Sequence, residues 1–297
     1  MKKLLFLLLV LGGAALTWYL LIRPYDLQVR MKLRTKPGVV KQLVKLWDKN
    51  DPERHIVAFD DEEVLEQQVA INEHQYQLRW MTEMINDSIT QIKVRITEPG
   101  SAVVNRLSSL ITESELEQNA RQMLQDFYQL SEGHLKKIRV KIDGIASYPS
   151  AYCIYVPLST SQASKAHGMM ANYSLLSTYI TENNLMVAGV PFVVVNEWDQ
   201  ENDLIQYDFC YPIMKKDSLP THQVIRHRQF EGGTALKATY NGNYISSDRA
   251  WYELEYEAAK QDLKPTGKII EYFYDNPNFG GDGLDWRADI YYAIQEQ

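Results

Sequence analysis

From Leu4 to Ile22 the chain is apolar without a single charge, and after Pro24 this gives way to short alternating and helical patterns. A run of that length matches the roughly 17–25 residues that span a bilayer core. Met1-Lys2-Lys3 precedes it and Arg23-Pro24 closes it, so residues 1–24 are expected to form a transmembrane anchor. A cleaved signal peptide is the alternative. Against it, the run is longer than a usual h-region and ends in T-W-Y-L-L-I instead of small residues. Lys2 and Lys3 compete with Arg23, Arg30, Lys32, Arg34 and Lys36 across the span, which leaves the side of the membrane open.

Between residues 25 and 135 the periods change. Asp26 to Arg34 alternates Leu27, Val29, Met31 and Leu33, the mark of a half-buried strand. Lys36-Pro37-Gly38 then turns into an amphipathic helix carrying Val39, Val40, Leu43, Val44, Leu46 and Trp47. Strand-like runs follow at 55–59, 64–71, 76–85 and 88–97, with breaks at Asn72-Glu73 and Asn86-Asp87, as in a meander of hairpins. Ser114 is placed to cap a long helix reaching Leu135, whose stripe is Leu116, Ala120, Met123, Leu124, Phe127 and Leu130. This order of strand, tryptophan-bearing helix, antiparallel sheet and closing helix resembles the helix-grip fold of the START/polyketide-cyclase-like superfamily. No paired carboxylates or nucleophile arrangement accompanies it, so a binding or scaffolding role is expected.

From about Lys137 the chain repeats itself. Tyr207–Ile213 aligns with Arg287–Ile294, placing Asp208 over Asp289, Tyr211 over Tyr292 and Ile213 over Ile294. Upstream, Gly189–Val194 aligns with Gly267–Tyr272, and the helical stretches Ser161–Thr181 and Ser246–Gln261 correspond. Two β-α-β-β copies, at about 137–213 and 222–296, are too few for a solenoid, and a pseudo-twofold pair sharing one sheet is the compact solution. The fold class expected for the chain is therefore α+β: a transmembrane helix, a small helix-grip-like antiparallel domain, and a duplicated domain over 137–297. A crevice along the pseudo-axis is a natural ligand site. The strands facing it carry Tyr148, Tyr152 and Tyr155 from one copy, and Tyr240, Tyr244, Glu271 and Tyr274 from the other.

This second region resembles the gyrase-inhibitor-like (GyrI-like) effector-binding domain, also found at the end of some AraC- and MerR-type activators. The resemblance rests on A-G-V-P-F, on T-Y-N-G-N-Y followed by Trp251, on I-I-E-Y-F-Y-D-N-P, and on the closing strand Arg287–Ile294. Departures are Tyr240 or Asn241 at the histidine-like position, Asn243 for a proline, Phe273 for the tyrosine after the glutamate, and Asn276 for the aspartate. Gly242, Tyr244, Trp251, Glu271 and Pro277 are kept. The resemblance implies a small-molecule pocket with Glu271 at the base of an aromatic cage, taking cationic or polar ligands. Some members of that family hydrolyse cyclopropane-containing genotoxins with the same glutamate and an aromatic partner.

Composition narrows the choices. At 297 residues the chain has room for about two domains. A net charge of -7 argues against general nucleic-acid binding, and Arg226-His227-Arg228 is too short a basic spot to change that. Two cysteines, Cys153 and Cys210, and six scattered histidines give no zinc-site spacing. The two thiols are either free or bridged. Gly280-Gly281-Asp282-Gly283 lacks the G-K-[ST] of a phosphate loop and reads as a flexible connection. No cofactor is expected.

Glu271 stands among Ile269, Ile270, Tyr272, Phe273 and Tyr274, so it is either turned to solvent as a plain strand residue or held in a pocket. In the pocket it would neutralise a ligand cation, with Tyr244 and Trp251 adding cation–π contact. Trp251 is otherwise a core residue. The candidate ligand-binding set is Glu271, Tyr244, Trp251, Tyr240, Tyr274 and Tyr152. The expected function is a single-pass, membrane-anchored protein that binds a small aromatic or cationic molecule. Two alternatives remain: a hydrolase of strained molecules in which Glu271 activates water, and an interaction module without a ligand.

Overall fold

The computed structural model describes residues 2–61, 64–71, 73–109, 112–277 and 280–295; Asn72, one of the expected turn residues, lies outside them. Helices mix with two antiparallel sheets, in two compact units, 1–133 and 134–297.

The first unit opens with helix α1 (Lys2–Thr17), continued by one π-helical turn, Trp18–Ile22. The stretch Lys3–Ile22 is long and apolar enough to cross a membrane, a property shared by spans and secretory signals, and none of it is buried in the protein. Strand β1 (Leu27–Leu33) and helix α2 (Pro37–Lys49) follow, then β2 (Arg54–Asp61), β3 (Val64–Ile71), β4 (His74–Asn86) and β5 (Ile89–Thr97). The sheet order β1-β5-β4-β3-β2 is a meander closed by the first strand pairing with the last. A short helix, α3 (Ala102–Ser108), which the sequence pattern did not announce, precedes α4 (Glu115–Leu135).

Ser114 does cap α4. Its Oγ accepts from Glu117 N at 3.2 Å, and Glu117 Oε2 accepts from Ser114 N at 2.9 Å, a reciprocal capping box that satisfies two otherwise orphaned donors. The predicted stripe is buried from Leu116 to Phe127, with Ser131 continuing it where Leu130 is only half-buried. Trp47 of α2, Trp80 of β4 and Phe127 of α4 meet edge to face, with centroids 4.7–6.0 Å apart. Their rings pack together in the core of this unit. Trp80 Nε1 donates to Gln67 Oε1 at 3.0 Å, and Gln67 Nε2 to Asp48 Oδ1 at 2.8 Å, so the indole and the amide buried with the rings are paired.

The second unit contains β6 (Ile138–Tyr148), β7 (Ala151–Ser161), α5 (Lys165–Glu182), β8 (Phe192–Asp199) and β9 (Leu204–Pro212). It then repeats the pattern as β10 (Arg226–Phe230), β11 (Gly233–Gly242), α6 (Arg249–Lys260), β12 (Pro265–Phe273) and β13 (Arg287–Ile294). The repeating unit is thus β-β-α-β-β, one strand longer than the sequence pattern suggested. Only Pro149-Ser150 separates β6 from β7, and only Glu231-Gly232 separates β10 from β11, so each pair reads as one extended run.

The sheet order, β10-β7-β9-β8-β12-β13-β11-β6, reads the same by repeat position from either end. Each copy's first strand is exchanged onto the far edge of the other copy. Because a two-residue link joins β6 at one edge to β7 beside the other, the sheet must curl until its ends approach. The rings of Tyr148 and Phe230, at the two link points, lie 5.8 Å apart. They close a core on the inner face with Cys153, Phe192, Val194, Cys210, Ile270, Tyr272 and Tyr291. Cys153 and Cys210 are buried free thiols within it. The other face packs against α5 and α6. The central strands β8 and β12 are therefore covered on both sides, and every residue from Ile269 to Phe273 is buried.

Candidate functional site

Alternation along β12 sends Ile270 and Tyr272 into the inner core and Ile269, Glu271 and Phe273 toward the helices. Glu271 is 0% exposed. Its Oε1 accepts from Trp251 Nε1 at 2.6 Å, and its Oε2 accepts from Ser247 Oγ at 3.1 Å and from Lys165 Nζ. Lys165 is 1% exposed, donates to Ser247 Oγ at 2.8 Å, and lies 4.7 Å from the centroid of the Trp251 ring. A positive charge over an indole beside a carboxylate is the arrangement expected of a bound cation. Here the cation belongs to the chain itself. The counter-charge expected for a ligand at Glu271 is already met by Lys165, which the sequence reading passed over.

Local structure explains how Lys165 gets there. A 3₁₀ turn, Gln162–Ser164, leads into α5 and aims its first residue across the sheet. Tyr207 of β9 donates from Oη to Lys165 O at 2.9 Å. That approach needs Gly168, since a Cβ there would sit 2.2 Å from the Tyr207 oxygen. On the opposite side a second 3₁₀ turn, Tyr244–Ser246, precedes α6, with Asn243 Oδ1 accepting from Ile245 N at 3.0 Å. Gly242, at φ 152°, allows this entry, because a Cβ would meet Tyr240 Oη at 2.5 Å.

Beside this buried pair lies an open cleft of about 570 Å³. Its floor includes Phe209, Tyr211 and Phe273 from the sheet. One wall is α5, through Ala166, Met169, Met170 and Tyr173; the other is Tyr244, Ile245, Tyr274–Pro277 and Trp286. Ala166 follows Lys165 in the chain, and Tyr244 O lies 3.0 Å from Ser247 Oγ, so the cleft adjoins the ion pair without reaching it. Among the described residues, Asp275 is the one charged residue of the lining. Its Oδ2 accepts from Arg287 N at 2.7 Å, and Tyr244 Oη donates to Arg287 O at 2.8 Å, which fixes the cleft's polar corner. Burial pushes the Tyr244 phenol up to about 12, so it stays a neutral donor near neutrality.

The residues singled out from sequence therefore separate. Tyr244 and Tyr274 line the cleft, and Tyr274 also donates to Asp289 Oδ2 at 3.2 Å. Glu271 and Trp251 form the buried pair behind it. Tyr240 is buried, donating to Asn243 O at 2.8 Å. Tyr152 lies apart, with its Oη 2.9 Å from His227 Nδ1. Sequence reasoning missed Lys165, Ser247, Met169, Met170, Tyr173, Asp275 and Trp286. The available signal was α5 itself, where Lys165 and the terminal Glu182 are the charged residues of an eighteen-residue helix that carries adjacent methionines. Among the described residues, no group of three His, Cys, Asp or Glu side chains could hold a metal ion.

No protein-family model matches the chain, and no curated protein does. Among solved structures, the EcmrR C-terminal domain aligns at 14% identity over 54% of this chain and 99% of its own, with a TM-score of 0.44. SAV2435 bound to tetraphenylphosphonium aligns at 7% identity over 53% of this chain and 94% of its own, with a TM-score of 0.36. A hydrolase from Listeria innocua aligns at 9% identity over 54% of this chain and 92% of its own, with a TM-score of 0.34.

Proposed function

We propose that the chain is a membrane-anchored small-molecule-binding protein whose second unit is an effector-binding domain of the GyrI-like kind. Its ligand is a bulky aromatic cation held in the cleft between α5 and the Tyr244–Ile245 turn. The observation that carries this reading is the lining itself: methionine and aromatic side chains around the Asp275 carboxylate. Met170 and Tyr274 stand exposed on its rim, as expected where apolar surface is kept for a partner molecule. Methionine adapts to irregular apolar shapes, and tyrosine adds rigid contact area with a polar tip. Asp275 takes the role of counter-charge, and the Lys165–Glu271 pair serves as the rigid base behind the cleft. The hydrolase alternative gains nothing from this arrangement. Both Glu271 oxygens accept from donors of the chain itself, Lys165, Ser247 and Trp251.

Calorimetric titration with tetraphenylphosphonium and a neutral triaryl phosphine oxide tests the proposal. The cation is expected to bind more tightly, and Asp275→Asn to weaken it by about five- to tenfold, close to 1 kcal/mol. Glu271→Gln, in protein that remains folded, is expected to change the affinity by less than about twofold. Equal affinity in wild type and Asp275→Asn, or a larger loss in Glu271→Gln, overturns the assignment.

A further inference from the structure

The first unit carries an apolar surface that the cleft does not explain. Three large hydrophobic side chains of α3 are bare: Val103 at 42%, Val104 at 68% and Leu107 at 45% exposure. Spacings of one and four put them on one side of a seven-residue helix about 10 Å long. The flank of α3 next to this face is tied to the end of the apolar N-terminal helix. Arg106 donates from Nη1 to Leu20 O at 2.9 Å and to Tyr19 O at 3.4 Å, and Tyr19 Oη lies 3.2 Å from Ser109 Oγ. Arg106 is itself buried and paired with Asp26, Nε to Oδ1 at 2.9 Å and Nη2 to Oδ1 at 2.9 Å. Asp26 Oδ2 in turn accepts from Glu98 N at 3.0 Å. The guanidinium of Arg106 therefore closes the carbonyl end of the helix and fastens it to the sheet, so the position of α3 relative to that end is set.

We propose that α3 is a second membrane contact, its Val103–Val104–Leu107 face lying in the interfacial layer of the bilayer that the N-terminal helix crosses. The inference rests on reading Lys3–Ile22 as a membrane span. A span of 20 residues covers about 30 Å, the thickness of the hydrocarbon core, so Tyr19 and Leu20 fall at its boundary. Whatever is hydrogen-bonded to their carbonyls sits at the same depth. Trp18 and Tyr19 are the residue types that gather at this level, and the Arg23 guanidinium stacks 4.1 Å from the Tyr25 ring and 5.3 Å from the Tyr19 ring. The occupant of the α3 face is a lipid surface because the face is continuous with the span. No cationic side chain of α3 is left exposed beside the apolar residues, since Arg106 is buried. The contact is thus hydrophobic and independent of anionic lipid.

The test uses the full chain in phosphatidylcholine vesicles, with an environment-sensitive fluorophore placed through Val104→Cys or, separately, Leu9→Cys. Cys153 and Cys210 are buried, and unsubstituted protein reports any background labelling. The Leu9 label is expected to be quenched by nitroxides deep in the acyl chains. The Val104 label is expected to lose at least about half its emission to nitroxides near the headgroups, to resist aqueous iodide, and to be indifferent to added phosphatidylserine. A Val104 label open to iodide and untouched by lipid nitroxides, with Leu9 still quenched, overturns the inference and leaves the span intact. An unquenched Leu9 label removes the span and the α3 contact together. Leu107→Cys is the substitute position should Val104→Cys fail to fold, and it is judged by the same outcomes.

Discussion

Removing one member of the Lys165–Glu271 pair should cost far more than removing both. Lys165→Met keeps much of the side chain's volume but leaves a carboxylate at 0% exposure with only Trp251 and Ser247 as donors. Glu271→Gln leaves an ammonium group just as deeply enclosed. Breaking a buried pair on one side typically costs about 3–5 kcal/mol, because the surviving charge is neither solvated nor compensated. The double variant Lys165→Met/Glu271→Gln removes both charges, and replacing a buried pair outright is often near neutral, so a loss of no more than about 1 kcal/mol is expected. For a unit of this size, 1 kcal/mol moves the melting temperature by about 2–4 °C, which gives shifts of roughly 6–20 °C for either single variant. Because the chain has two units, urea unfolding is best followed by hydrogen-exchange protection of peptides across β12 and α6. The reasoning is refuted if the single losses simply add in the double variant, or if either single variant loses less than about 1 kcal/mol.

Gly168→Ala pushes a methyl group against the Tyr207 hydroxyl and breaks its bond to Lys165 O; despite better helix propensity, a net loss of about 1–3 kcal/mol is expected, read from the same exchange profile. Ser114→Ala removes half of the α4 capping box and should cost about 1 kcal/mol in the first unit, measured by urea denaturation. His74 Nδ1 lies 2.5 Å from Glu98 Oε1 and its Nε2 3.5 Å from Glu115 Oε1, and its pKa is raised first by the hydrogen bond to Glu98. Its stabilisation is fully present below the unfolded value, about 6.5, and is lost as pH rises through the higher folded value. The melting temperatures of wild type and His74→Gln should differ at pH 5.5 and converge as pH rises through the folded value, with the difference shrinking in high salt.

How much of this was legible depended on whether the signal was local. The α4 cap and stripe were readable because a helix buries residues at fixed spacing, and Ser114 and Glu117 sit in the capping register. The duplication was readable because strand neighbours repeat: Asp208 and Asp289 recur with their flanking residues. Strand exchange was not, since a two-residue link between β6 and β7 looks the same whether the strands pair or part to opposite edges. Short α3 escaped notice because seven residues hold too few turns to show a period. Lys165 escaped for a different reason. A lone lysine at the start of a helix normally lies in solvent, and only the tertiary fold, through Tyr207 and Gly168, drives it under Trp251.

The repeat also explains why the buried charges lie where they do. Val193 and Glu271 are counterparts in the two copies, and they are directly paired across β8 and β12, so the pseudo-axis passes between them. The 3₁₀ turns Gln162–Ser164 and Tyr244–Ser246 are counterparts too, which makes Lys165 the counterpart of Ser247. All four positions converge on one point. Had the copies stayed identical, that point would hold two carboxylates on directly opposed strand positions, with Cβ atoms about 5 Å apart, and one would have to take up a proton. Two lysines there would repel in the same way. Divergence gave the acid to one copy and the base to the other, with valine and serine as the small partners. The resulting ion pair spans the two copies instead of lying within either. Symmetry breaking at the axis thus joins the halves through a charge pair, and it leaves the exposed carboxylate of Asp275, away from the axis, as the charge that faces the cleft.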